Sequence, residues 1–439
     1  MIAKLRSQVL LAVRSEFGRN TIWVTAVSAI ERIFAVVQTV VIARLLGITE
    51  YGIYGLLFGT IGFVASVLGL QMGLTATVYV ARYRAAEKSK AAAVMAITRR
   101  FGWAVAILFV AGAIPFSETL SRMLLGSGSY QMPLILSALF VGATIVSGVQ
   151  DGIAQGFEIF RALAKLKIAV AILTLLSMYP MASNFGLVGV LLAVLVGLAV
   201  KYTLLNRLIS QTRNDANIPK SGSGVSFRVL VAGFALPSMV VSLGVGFITW
   251  LGMYMLSRQS SGFEQVAFVS TGLQWRGPML LLAASLGGVA IPAFSRLDAH
   301  GNAAHSQNLR RQLVYLNLSA ASILALVIVA GAGAIMKMYG DDFLEGRLMF
   351  SIVVLSTIPT VVANVYLQEM VGSARMWRQF WLHVPFVGAL SAGFLVLVPR
   401  YQSLGYALSL LIGSSILLLS VIAASTLERR PAPDDNAGM

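Results

Sequence analysis

The stretch TIWVTAVSAIERIFAVVQTVVIARLLG, Thr21 to Gly47, is apolar and long enough to cross a bilayer, yet Glu31 and Arg32 stand at its middle. At about 1.5 Å per helical residue, Arg32 is roughly 18 Å from Asn20 and a similar distance from Arg44, near the bilayer midplane and beyond snorkelling reach of water. A charge at that depth costs about 2.5–3.5 kcal/mol on insertion scales, so it faces a partner or a wet cavity. Adjacent helical residues point about 100° apart, so Glu31 and Arg32 do not satisfy each other and each looks to another span. Thr21, Thr25, Ser28, Arg32 and Thr39 recur at helical steps, and Glu31 and Gln38 extend the same polar stripe. Two readings follow: a substrate cavity beside the first span, or structural pairing inside the bundle.

The composition agrees with a membrane setting. Of 439 residues, 57% are hydrophobic and only 11% charged, where soluble domains carry about 25% charged residues. Apolar runs of spanning length fall near 20–43, 53–80, 99–116, 132–155, 163–183, 185–208, 228–256, 264–294, 312–337, 348–370, 379–398 and 404–427. No alternating strand pattern appears, and helices satisfy their own backbone in lipid, so the expected class is an all-α integral membrane protein of twelve transmembrane helices. A net charge of +16 comes without basic segments interleaved with aromatics, which argues against a nucleic-acid partner and for membrane topology. The chain has no cysteine, its three histidines (His300, His305, His383) form no metal-binding pattern, and no phosphate-binding G-x-x-x-x-G-K-[ST] sequence occurs.

Lysine and arginine set the orientation. With the N-terminus inside, 24 of the 33 fall in inner segments, six (Arg44, Arg122, Arg258, Lys337, Arg347, Arg400) in outer ones, and Arg32, Lys201 and Arg276 within runs. Both termini are therefore expected in the cytoplasm. Residues 1–19 are expected to form an interfacial amphipathic helix, with Ile2, Leu5, Val9, Val13 and Phe17 on one face and no signal-peptide cleavage pattern.

An internal repeat divides the chain. LGLQMGLTATVYVARYRA from Leu68 aligns with LLLAASLGGVAIPAFSRLDA from Leu280, placing Gly73 on Gly287 and Arg82 on Arg296. At the same offset of 214, Gly126 falls on Gly340 and Ser137 on Ser351; further on, Gly189 matches Gly405 and Gly197 matches Gly413 at 216. Six spans occur twice. An even number per repeat gives both halves one orientation, related by a pseudo-twofold axis along the membrane normal. The expected organisation is an N-terminal lobe, 20–209, a cytoplasmic linker, 210–227, a C-terminal lobe, 228–427, and a tail, 428–439. Ser242 matches Ser28, but Val245 and Gly246 stand where Glu31 and Arg32 stand in the first half, so the charge is asymmetric.

The loop ARYRAAEKSKAAAV lacks the acidic and basic glycine motif of the major facilitator family. IARLLGITEYGIYGLL, Ile42 to Leu57, resembles the A-R-x-L-G-x-x-x-[FY]-G-x-[YF] signature of Wzx-type polysaccharide flippases, members of the multidrug/oligosaccharidyl-lipid/polysaccharide (MOP) exporter superfamily, through Ala43, Arg44, Leu46, Gly47, Tyr51, Gly52 and Tyr54. The resemblance implies a MATE-like fold and a flippase in the bacterial inner membrane. Its cargo would be a polyprenyl-pyrophosphate-linked oligosaccharide, moved from the inner to the outer leaflet by alternating access, with the sugar in a central cavity and the lipid tail in the bilayer. It implies no cofactor, leaves coupling to protons, sodium or the membrane potential open, and suggests a glycan polymerase as a partner. A MATE-like multidrug or cation antiporter is the first alternative. A membrane-embedded polysaccharide polymerase or ligase is the second, disfavoured because every outer connection is short.

The cavity candidates are Arg32, Glu31, Arg276, Ser28, Gln38 and Gln71. Arg276 lies about 30 Å from Arg296 along a straight helix, toward the outer surface, where an arginine can snorkel. Gln71 is placed to bond sugar hydroxyls or a neighbouring helix. Asp151 beside Gln150, Glu369 beside Gln368, and Lys201 sit near inner span ends; anchoring is the plainer reading, and a cytoplasmic cavity mouth at Asp151 and Glu369 the other. Pro237 and Pro278 are expected to kink their spans, and Trp250 and Trp275 to pack against neighbours rather than stack on sugars. Reporter fusions after Asn217 and His305 should behave as cytoplasmic and those after Ser127 and Asp342 as periplasmic; reversal at two sites overturns the topology.

Overall fold

The computed structural model describes residues 16–231, 236–299, 303–372 and 376–427. The expected N-terminal amphipathic helix and the C-terminal tail therefore lie largely or wholly outside the described residues, as do the side chains of Ser28, Pro237, Ser238 and Ser242. Every regular element described is helical: α1 (Glu16–Leu68), α2 (Met72–Tyr83), α3 (Lys88–Ala113), α4 (Ser117–Leu125), α5 (Gln131–Gly156), α6 (Phe160–Asp215), α7 (Phe227–Leu230), α8 (Leu236–Ser257), α9 (Gly262–Ala299), α10 (Ala303–Ala330), α11 (Ala332–Tyr339), α12 (Arg347–Leu355), α13 (Thr357–Gly372) and α14 (Met376–Leu427). The all-α expectation holds.

Among the described residues, seven helical stretches are long and apolar enough to cross a membrane: 30–68, 88–113, 128–156, 160–215, 304–330, 341–371 and 377–426. Three of them are two helices joined at one non-helical residue, Gly47 in α1 (φ 75°, ψ 173°), Gly186 in α6 (φ 53°, ψ −132°) and Gln402 in α14 (φ 50°, ψ −127°). Gly47 and Gln402 fall between expected apolar runs, and Gly186 at the start of one. The figure of twelve itself rests on hydropathy and charge.

The repeat seen in the sequence is written into local geometry. Gly186 and Gln402 are 216 residues apart and share one unusual backbone conformation. Three residues later, a β-carbon at Gly189 would lie 1.9 Å from the Met181 carbonyl oxygen, and one at Gly405 would lie 2.1 Å from that of Leu397. Gly197 faces Thr174 as Gly413 faces Leu390, again at the same offset. In each half a short helix and a 3-10 turn, α4 with Gly128–Tyr130 and α11 with Asp341–Gly346, precede the next apolar helix.

The chain divides into two compact units, one ending at Ala267 and the other beginning at Phe268, with the division inside α9. In the first unit, Met72, Val80, Val94, Val149, Ile153 and Leu205 form one core, and Ile61, Ala65, Phe140 and Ile145 a second. α2 and α5 cross at backbone contact: a β-carbon on Gly152 would lie 2.0 Å from the Gly73 carbonyl oxygen, and one on Gly73 2.6 Å from that of Gly148. Thr77 Oγ1 lies 3.1 Å from the carbonyl oxygens of both Gly73 and Gly152, tying the helices together by donating to either. Gly148 and Gly152 thus supply a small-xxx-small face of the kind that lets membrane helices approach closely. In the second unit α13 packs on α14 through Ala363, Leu367, Leu417 and Val421. Leu108, Leu176 and Leu326 are each at least 70% exposed; in a membrane protein such side chains face acyl chains.

Span 2, expected as one run over 53–80, is interrupted between α1 and α2. Leu70 (φ 45°) and Gln71 (φ 52°) occupy the left-handed region in succession, at a cost of about 1 kcal/mol or more each for non-glycine residues. Hydrogen bonds from Gly69 N to Ala65 O (2.9 Å), Met72 N to Gly69 O (2.9 Å) and Thr75 N to Gln71 O (3.0 Å) carry the ladder across the break.

The shared turn conformation gives a paired test. Gly186→Ala puts a side chain where φ is positive and is expected to cost about 1 kcal/mol of stability, read as a lower thermal midpoint in detergent, whereas Gln402→Gly relieves that strain and raises the midpoint. A Gly186→Ala protein of unchanged midpoint would show that the turn is unstrained.

Candidate functional site

The two charges of the opening stretch have different surroundings. Glu31 Oε1 lies 3.1 Å from Lys167 Nζ on α6, and both side chains are largely covered. Lys167, seven residues into α6, was not among the sequence candidates; the apolar residues around it were the available signal. Arg32 is exposed and makes no hydrogen bond or ion pair among the described residues. Gln38, two turns further along the helix, is half-buried.

Beside the break in span 2 lies a cavity of about 300 Å³, lined among others by Gly62, Ser66, Gly69, Gln71, Thr144 and Gly148. Irregular backbone at membrane depth is stable only where it is buried in protein or lines a cavity, and here it does the latter. The left-handed turn presents the half-buried Gln71 to this space.

The signature residues that carry the family resemblance serve the fold. Ala43 and Tyr51 are each 1% exposed, Gly47 makes the turn out of span 1, and a β-carbon on Gly52 would lie 1.7 Å from the Phe263 carbonyl oxygen. Trp250 donates Nε1–H to Thr60 Oγ1 (2.9 Å) and stacks on Phe63 and Tyr254. Trp275 donates to the Tyr339 hydroxyl (3.1 Å). Both tryptophans are packed into their own units.

Asp151 and Glu369 are both paired. Asp151 Oδ2 accepts from Lys201 Nζ at 2.6 Å, beside Gln150 and Ser147, whose buried polar atoms find no partner among the described residues. In the second unit Glu369 accepts from Arg310 Nη1 (2.8 Å) and Ser306 Oγ (2.9 Å), with Arg310 also over the Tyr366 ring. Arg276 is turned onto α13, donating from Nη2 to Thr360 Oγ1 (3.0 Å), while its Nε is buried without a partner among the described residues. Among the described residues, no group of three His, Asp or Glu could hold a metal ion.

Known proteins share this architecture. A MATE family multidrug resistance transporter of the MOP superfamily, solved in an inward-facing conformation, superposes with a TM-score of 0.75 at 14% identity, covering 94% of this chain and all of the other. The lipid II flippase MurJ, in an inward closed conformation, superposes with a TM-score of 0.74 at 13% identity over 92% of this chain and 87% of its own. The chain is a multi-pass membrane protein with the MOP fold.

Sequence comparison narrows this. The family model described as "Polysaccharide biosynthesis protein" matches residues 17–298, and the chain belongs to that family. It is 24% identical over 319 residues to the EPS I polysaccharide export inner membrane protein EpsE of Ralstonia nicotianae, covering 70% of this chain and 71% of that protein. The protein of the same description from Ralstonia solanacearum is 25% identical over 286 residues, 63% of this chain and 64% of its own.

The Glu31–Lys167 pair can be measured as a unit. In a double-mutant cycle with Glu31→Gln and Lys167→Met, each single change leaves one charge unpaired at membrane depth, and a coupling energy of about 0.5–3 kcal/mol is expected. Additive effects on thermal stability would mean that the two side chains do not interact.

Proposed function

We propose that the protein is a flippase that moves a polyprenyl-pyrophosphate-linked oligosaccharide from the inner to the outer leaflet of the bacterial inner membrane by alternating access. The observation that carries the proposal is the sorting of charge. Glu31, Asp151 and Glu369 are each held by a basic partner, whereas Arg32 and Arg276 have no carboxylate partner among the described residues. Positive charge in a medium of low dielectric attracts a diphosphate far more strongly than it would in water. The cost of keeping Arg32 in a span is then met by the substrate, and Gln71 in its cavity is available to the hydroxyls of the sugar. The export function named for the Ralstonia proteins supports the same cargo class.

A MATE-like cation antiporter is the competing reading. A cationic drug calls for an unpaired carboxylate at the site, and the three acids singled out are all neutralised. The proposed cycle uses no cofactor and draws on protons, sodium or the membrane potential. A glycan polymerase acting on the outer leaflet is the natural next step for the cargo.

Deleting the gene is expected to trap lipid-linked repeat units on the inner leaflet and abolish a surface polysaccharide; intact polysaccharide with lost drug resistance decides for the antiporter. Arg32→Ala should insert at normal abundance and lose export, with partial recovery in Arg32→Lys, which keeps charge but not the guanidinium fork. A stable Arg32→Ala protein that exports normally removes Arg32 from the site.

A further inference from the structure

We infer that the cytoplasmic ends of α3 and α6 form a binding site for the phosphate of an anionic phospholipid of the inner leaflet, separate from the substrate route. Arg99 on α3 and Arg213 on α6 supply it. The Nε and Nη2 atoms of Arg99 and the Nε of Arg213 are buried and find no hydrogen-bond partner among the described residues. Arg213 lies within electrostatic reach of Arg99, and neither makes an ion pair among the described residues. Two partly covered like charges with idle donors are costly unless an anion with several acceptor oxygens joins them. Guanidinium forks match a phosphate in geometry as well as charge.

The surroundings select a lipid over a free ion. One turn outward from Arg99, Trp103 donates Nε1–H to the Tyr202 hydroxyl (3.2 Å), and the two rings meet edge-on at 5.7 Å, bridging α3 and α6. Such a Trp–Tyr pair is typical of headgroup level. Trp103 is 45% exposed, and one turn further out Ile107 and Leu108 are 60% and 72% exposed, presenting an apolar wall on the hydrocarbon side. Arg100 and Arg207, both exposed, add positive charge on the same two helices. On the cytoplasmic side the segment after α6 closes over α3: Ser223 N donates to Ser89 Oγ (3.2 Å), and a β-carbon on Gly222 would lie 1.9 Å from the Ser89 carbonyl oxygen. Basic pockets between spans on the cytoplasmic side, roofed by interfacial aromatics, suit a headgroup phosphate whose tail lies along the helices.

Trp103 reports on the site. With the full chain in nanodiscs, the part of tryptophan emission lost in Trp103→Phe is followed as phosphatidylglycerol or phosphatidylcholine with brominated chains is added. Brominated phosphatidylglycerol is expected to quench Trp103 at about tenfold lower mole fraction than brominated phosphatidylcholine, as expected for one or two charge-assisted hydrogen bonds. Arg99→Gln with Arg213→Gln should erase the difference, and Arg99→Lys with Arg213→Lys should keep part of it. Equal quenching by the two lipids in the unaltered protein, or an undiminished preference in the double glutamine variant, overturns the inference. If the glutamine variant does not insert, the lysine variant and the comparison of lipids in the unaltered chain decide. Millimolar inorganic phosphate should leave the preference intact; if it abolishes it, the site reads free phosphate and the lipid assignment fails.

Discussion

Everything in this molecule is arranged around one demand: a peptide group inside a bilayer has no water to bond, so the chain stays helical or breaks only where something else satisfies it. The breaks are few in kind. At Gly47 and Gly186 the chain turns between consecutive spans on glycines that tolerate positive φ. At Leu70 and Gln71 the break is internal to a span, and three backbone hydrogen bonds carry the ladder through a strained turn that opens onto a cavity. Directly below that turn, α2 is fastened to α5 at van der Waals distance from backbone to backbone by Gly73, Gly148 and Gly152. Strain and a backbone-to-backbone helix crossing lie within a few residues of each other.

How much of this was legible depends on the range of the interaction. Hydropathy and charge act through the medium and need no partner, so the helical class and the repeat could be read from the chain. The repeat was visible because glycines such as Gly189 and Gly405 are required by contacts with backbone two turns away, a local constraint that leaves a residue-level mark. The break at Leu70 and Gln71 left no such mark, because neither residue type advertises a left-handed backbone. Pairing was the least legible. Glu31 and Lys167 are 136 positions apart, and Asp151 and Lys201 were each recognisable as unusual without any signal that they meet. Both lysines could have been suspected from charge set among apolar neighbours, but which acid each would find is a property of the tertiary arrangement.

The signature stretch illustrates the difference between recognising a family and recognising a site. Ala43, Gly47, Tyr51 and Gly52 are what a tight turn and a close approach to Phe263 need, and they identify the fold because they build it. The charges proposed to meet the substrate lie elsewhere, in positions where sequence shows only an energetic anomaly.

The ion pair of Glu31 with Lys167 also sets the electrical character of the first span. A cell membrane holds a field worth about 2.3 kcal/mol per elementary charge per 100 mV across its full thickness. A paired acid and base travel through that field as a neutral body, so any displacement of the pair is indifferent to voltage. On the function proposed above, Arg32, with no such counter-charge among the described residues, would act as a gating charge: whatever fraction of the field it crossed during a cycle would be added to the work of that cycle, and an anion bound to it would cancel the contribution. The empty and the loaded carrier would then differ in their sensitivity to voltage, and a single guanidinium would carry the difference.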